Sequence, residues 1–212
     1  IAYQISGKAT YALEGSIFNA GATIQWLRDM LGIITDAAET EQLAGLIKET
    51  GNVYLVPAFT GLGAPYWDPA ARGALVGITR STGRAEIARA ALEACCYQTA
   101  DLLRAMAEDG IDTIGMRVDG GMAKNSWFLQ YLANILDVGI DRPVITETTA
   151  LGVAYLAGLQ VRLFESFDEI ADHWRRASHF DPRMTSPERK RRLIDWEVAV
   201  RRTLKVRNPR NS

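Results

Sequence analysis

The sequence is poor in the residues that build metal centres and disulfide frameworks. Among its 212 residues there are two cysteines and two histidines. Cys95 and Cys96 are adjacent in an alanine-rich helical pattern. Neighbours on a helix point about 100° apart, so a bond between them would be badly strained. They read as small buried thiols in a reducing compartment, and a cytoplasmic protein is expected. His173 and His179 have only Asp172 and Asp181 close by in sequence. Both read as surface residues, and no metal ligand is assigned. Charge of one sign is lacking as well. The formal net charge is −1, which leaves no electrostatic footprint for nucleic acid. No apolar run approaches the roughly 18 residues of a membrane span, and no secretory leader pattern is present. A starting methionine is missing, and Ile1 to Ile5 reads as a strand entered midway. The expectation is a piece of a longer protein.

What is present is apolar material, 48% of the residues, enough for a substantial core. Residues 1 to 5 and 9 to 13 pattern as a hairpin with Gly7-Lys8 at its turn. Ser16 is placed to cap a helix carrying Ile17, Ile24, Leu27 and Leu31, with Gly32 at its stop. A second helix is expected over about 36 to 49, then a strand from Val53 to Val56 stopped by Pro57. After the loop from Phe59 to Pro69 come a strand from Gly73 to Thr79 and a long helix over 84 to 108. Along that helix Ile87, Ala91, Ala94, Cys95 and Leu102 fall near one stripe. Strand, helix, broken strand and helix follow over 114–118, 124–137, 138–145 and 149–163. The last of these carries small residues (Ala150, Gly152, Ala154, Ala157, Gly158) that suit close packing on a neighbour. A charged helix starts at 186, with its basic run Arg189 to Arg192 read as a solvated face. This alternation argues an α/β domain with a mixed sheet.

The junction Arg117-Val118-Asp119-Gly120-Gly121-Met122-Ala123-Lys124-Asn125 stands out. A strand that ends in two glycines and turns into a helix lets a planar or phosphorylated ligand approach bare backbone. It is equally the pattern of a tight turn needing positive φ. Asn125 offers a donor and an acceptor, which suits the edge of an adenine ring. Asp119 reads as ordering the turn by accepting backbone N–H bonds, and Asp68 before Pro69 as a turn former. Phe59, Tyr66 and Trp67 form either a stacking platform or, as preferred here, packing of their loop on the sheet.

Several segments together resemble the FGGY carbohydrate kinases. The family's second signature joins a glycine strand, a spacer and a helix start. It reads here as Gly73-Ala74-Leu75-Val76-Gly77-Ile78, then seven residues, then Glu86-Ile87-Ala88-Arg89-Ala90-Ala91-Leu92-Glu93. Asp119-Gly120-Gly121 is similar to the adenosine motif of the superfamily that unites sugar kinases, Hsp70 and actin. Tyr11 to Gly15, Gly21 to Leu27 and the loop Gly61 to Pro69 are similar to the branch that phosphorylates glycerol. Pentulose kinases tend to carry a Gly-Glu-Arg-Thr-Pro type loop at the last position.

The resemblance implies an α/β, ribonuclease H-like domain with a mixed sheet flanked by helices. Residues 1–205 would be the C-terminal domain of such a kinase, its start missing, and 206–212 a disordered tail. ATP would be a substrate, with Mg²⁺ on its phosphates and ADP as product, and no tightly bound cofactor is expected. By the same resemblance Gly21, Gln25, Gly121 and Asn125 contact the nucleotide. Gly21 and Gln25 lie four apart and share one helix face. A glycine inside a helix costs about 1 kcal/mol relative to alanine, so a ligand or a packed helix is expected beside Gly21. Glycerol would bind mainly to a preceding N-terminal domain, which also carries the family's catalytic aspartate and phosphate loops. No catalytic residue is therefore assigned within this chain. The full-length protein is expected as a homodimer or homotetramer, with no nucleic-acid or membrane partner. A pentulose or gluconate kinase, and a non-catalytic nucleotide-binding module, are the alternative readings.

Overall fold

The computed structural model describes residues 1–5 and 7–204, so the expected tail at 206–212 lies outside the described residues. In chain order the strands are β1 (Tyr3–Ile5), β2 (Lys8–Thr10), β3 (Tyr54–Val56), β4 (Ala74–Val76), β5 (Met116–Arg117), β6 (Ile140–Pro143) and β7 (Arg176–Phe180). The helices are α1 (Gly21–Asp29), α2 (Glu39–Leu46), α3 (Arg84–Glu108), α4 (Ser126–Leu136), α5 (Thr148–Gln160), α6 (Phe167–Ala171) and α7 (Ser186–Arg201). A 3₁₀ turn, Gly121–Lys124, precedes α4.

The α/β class is as expected, but the described strands form three small sheets. β1 and β2 are an antiparallel hairpin, and β3 pairs β4 antiparallel. The mixed sheet is β5-β6-β7: β5 runs parallel to β6, and β7 antiparallel to it. Pro143 sits at an irregularity in the β6–β7 ladder, where a residue without an N–H is tolerated.

α3 is the axis of the core, flanked by α2, α4, α1 and β3. Its alanines let those neighbours approach, and every residue from Ala88 to Tyr97 is buried. The single apolar stripe expected for this helix is thus a fully buried segment. Three charged residues of α3 are carried inside. Arg89 pairs with Glu93 at 2.7 Å and donates to the Ile47 carbonyl at 2.6 Å. Burial pushes the Glu93 carboxyl up, and Arg89 opposes that shift. Asp101 accepts from Tyr66 (2.7 Å), Trp196 (2.8 Å) and Arg104 (2.9 Å), tying the 59–69 loop and α7 to α3. The thiols of Cys95 and Cys96 are free and buried, and burial raises Cys95 to about 12.

Other expectations change. The first helix begins at Gly21, with Ala20 as its cap residue, and Ser16 caps no helix among the described residues. Residues 11–17 carry no regular structure there. The backbone at Gly15 lies directly on Leu102 and Met106 of α3: an added Cβ would sit 2.5 Å from Leu102 Cδ1. The second helix is shorter than its pattern, because Asp36 and Glu39 fold the preceding residues into a cap, Asp36 accepting the Ala38 N–H at 2.7 Å and Glu39 the Thr35 N–H at 2.8 Å. α5 does not pack closely on a neighbour, and of its residues only Gly158 is buried. Two elements, α6 and β7, carry too little periodicity to be read from sequence. α6 is five residues long, and β7 has no fully buried position.

Candidate functional site

The turn between β5 and α4 is held from both sides. From the sheet side, Arg142 of β6 donates to the carbonyls of Ala123 (3.3 Å) and Lys124 (3.4 Å) and to Ser126 Oγ (3.2 Å). Its other nitrogen reaches Ser178 of β7 at 2.9 Å, and its plane lies over the Phe180 ring. From the opposite side, Glu41 Oε1 of α2 accepts the N–H groups of Ser126 (3.1 Å) and Trp127 (3.3 Å). Asn125 is the N-cap of α4: Oδ1 accepts the Phe128 N–H at 2.8 Å, and Nδ2 donates to Thr40 Oγ at 3.3 Å. These bonds satisfy N–H groups that a helix start leaves without partners.

The two adjacent glycines differ in what the backbone asks of them. Gly120 has φ 77° and is required by the turn. Gly121 has no such backbone demand, and a Cβ added there would meet nothing within 4 Å. Gly21 is the first residue of α1, where glycine costs less than in a helix interior, and its added Cβ would also meet nothing. Helix packing therefore does not explain Gly21.

Both glycines face one cleft of about 710 Å³. The same cleft is lined by Gln25 and Asn125, so all four residues singled out in the sequence meet there. Ala20, Ile24, Leu92 and Met122 give it an apolar wall. Arg28 and Lys124 contribute positive charge, Asp36, Glu41 and Asp119 negative. Asp119 departs from expectation. No hydrogen bond from the turn reaches its carboxylate among the described residues, and it lines the cleft instead; the turn is closed by Gly120 N–H donating to Thr146 O at 2.8 Å. Thr40, Glu41 and Arg142 carry no motif that marks them in sequence, because each acts through a partner 16 to 86 residues away.

Elsewhere the assignments divide. Asp68 does form its turn, accepting from the N–H groups of Ala70 (2.8 Å) and Ala71 (3.1 Å). Phe59 packs against Trp26 and Tyr66 bonds Asp101, as packing residues should. Trp67 does not: it is 72% exposed, because the loop turns its side chain outward while Leu62 and Asp68 pair across it. His179 is exposed, bonded to Asp141 (2.5 Å) and Asp181 (3.0 Å).

Shape gives the fold. The fold matches that of the gluconate kinase from Lactobacillus acidophilus with a TM-score of 0.72 at 24% identity, over 92% of this chain and 40% of that one. The family follows from sequence: residues 3–161 match the FGGY family of carbohydrate kinases, C-terminal domain, and the chain belongs to that family. It is 60% identical over 203 residues to the glycerol kinase of Rhodospirillum centenum, covering 96% of this chain and 41% of the relative. It is 59% identical to that of Alcanivorax borkumensis, covering 95% and 41%. A crystal structure of Plasmodium falciparum glycerol kinase with ADP superposes with a TM-score of 0.82 at 36% identity, over 90% of this chain and 38% of that one. The chain thus spans about 41% of the length of the curated relatives it matches.

Proposed function

We propose that this chain is the nucleotide-binding part of an ATP-dependent glycerol kinase, with the cleft between α1, α2 and the start of α4 holding the adenosine end of ATP. The observation that carries the reading is the pair of unobstructed glycines, Gly21 and Gly121, facing one cleft with Gln25 and Asn125 beside them. Bare backbone there gives a flat ligand room that any side chain would take. Ile24, Leu92 and Met122 offer it an apolar face. Gln25 lies one turn beyond Gly21 and can bond a ribose or phosphate oxygen. The name shared by relatives at about 60% identity supports the choice of glycerol.

Phosphoryl transfer depends on positioning and on charge stabilisation of the transferred group. In this reading the present chain supplies positioning: its clamped turn fixes the base, and thereby the direction in which the triphosphate leaves the cleft. Mg²⁺ would accompany the triphosphate and neutralise its charge. The hydroxyl nucleophile, its base and most contacts to glycerol would come from the remaining length of the protein. We further propose that the full-length enzyme is a cytoplasmic homodimer or homotetramer.

In the full-length protein, Gly121→Val is expected to raise the KM for ATP about tenfold or more while changing that for glycerol less than about threefold. An unaltered ATP KM would remove the site assignment. A substrate panel with glycerol, xylulose and gluconate tests the acceptor, and efficient turnover of either sugar without glycerol would overturn that part.

A further inference from the structure

We propose that Glu41 determines which base the cleft accepts, its second carboxylate oxygen selecting a 6-aminopurine over a 6-oxopurine. This rests on the reading of the cleft as a nucleotide site and goes one step past it. Glu41 lies in the first turn of α2, half-buried, on the cleft wall beside Thr40 and Asn125. Its Oε1 is occupied by the two backbone N–H groups of Ser126 and Trp127. Those bonds fix the side chain across the α2–α4 gap and so fix where Oε2 points. Among the described residues no hydrogen-bond donor is found on Oε2.

A carboxylate oxygen can only accept. An amino group at the purine 6-position would satisfy it. A carbonyl there would set two acceptors against each other and leave both unpaired in a half-buried place, which is the costly arrangement. Asn125 sharpens the choice. With one amide hydrogen given to Thr40 Oγ, it keeps one to offer. An acceptor and a donor side by side complement the N6 amino group and N1 of adenine. Hypoxanthine presents the reversed pair, a carbonyl and an N1–H.

The test compares ATP with ITP, which differ at that edge alone, as substrates of the full-length protein at saturating glycerol. Wild type is expected to favour ATP in kcat/KM by about 10- to 100-fold, the range of one or two such bonds. Glu41→Gln keeps an oxygen for the α4 cap and presents an amide N–H in place of Oε2. It is expected to cut the ATP:ITP ratio by about tenfold or more. A ratio taken within one variant does not depend on how much of it is folded. Gly121→Val, measured alongside, should weaken both nucleotides alike and leave the ratio near wild type. If Glu41→Gln keeps the wild-type ratio while Gly121→Val weakens both nucleotides, Glu41 does not read the base and the cleft still binds nucleotide. If Gly121→Val weakens neither, the cleft assignment fails and this inference fails with it.

Discussion

α4 and α5 are helices of 11 and 13 residues, both rich in apolar side chains, and they meet opposite fates. α4 buries Phe128, Leu129, Tyr131, Leu132, Ala133 and Ile135 against α3, α2 and α7. α5 buries Gly158 alone, with Val153 65% and Leu156 52% exposed. In α4, Gln130 and Asn134 mark a polar side, where Gln130 bonds the Asp181 carbonyl at 2.8 Å. α5 has no such side, since its apolar residues run all round it. The difference teaches that apolar content announces a helix, whereas burial depends on what stands beside it. It also bears on function. The cleft grows from the start of the buried helix, where bonds from α2 and β6 can hold its wall rigid.

The largest expected effect would break that comparison outright. In this chain, Leu129→Ala should cost about 2–5 kcal/mol of stability, and Leu156→Ala about 0.5 kcal/mol or less. Urea denaturation of the two variants measures both; similar losses would mean that α5 is packed as α4 is. Next is the clamp at the start of α4. Arg142→Ala removes charge-assisted bonds to two carbonyls and two hydroxyls. A loss of about 1–3 kcal/mol is expected, with the ATP KM rising more than the glycerol KM in the full-length protein. Equal movement of the two KM values would reduce Arg142 to a general stabiliser.

The smallest effect is at the rim of the β6–β7 ladder. Hydrogen bonding to Asp141, then to Asp181, raises His179 above the ordinary imidazole value. A raised folded-state value means the stabilisation is complete below about pH 6.5 and is lost as pH climbs through the value of the folded protein. Asp141 sets the acid limit. Desolvation is the largest single influence and raises it, but the bonds from His179 and Arg176 and their charges together win and hold it below the usual carboxylate range. The Tm difference between wild type and His179→Gln should therefore shrink as pH rises above neutrality. A difference that grows with pH would contradict this sign.

Much of this architecture was legible in sequence. α3 announced itself by length and alanine content, β3 by an apolar run closed at Pro57, and the cleft by glycines at 21 and 121. What stayed hidden has a common physical cause. Ser16 is a good capping residue, yet the chain beside it is laid against Leu102 and Met106, a tertiary contact that local preference cannot anticipate. Asn125 has the chemistry to meet the edge of a base, yet it spends its carbonyl oxygen on the α4 cap. Glu41 and Arg142 become meaningful only when folding brings α2 and β6 to the same turn. Trp67 belongs by composition to the packed loop, but its neighbours Phe59 and Tyr66 fill that role.

The central claim is that the α1, α2 and α4 starts form a nucleotide cleft, and amide hydrogen exchange of the full-length protein with and without ADP tests it most directly. The account predicts slowed exchange over residues 21–25 and 121–126 on adding ADP, with α5 unchanged. Protection confined to other segments, with those two unaffected, would contradict it.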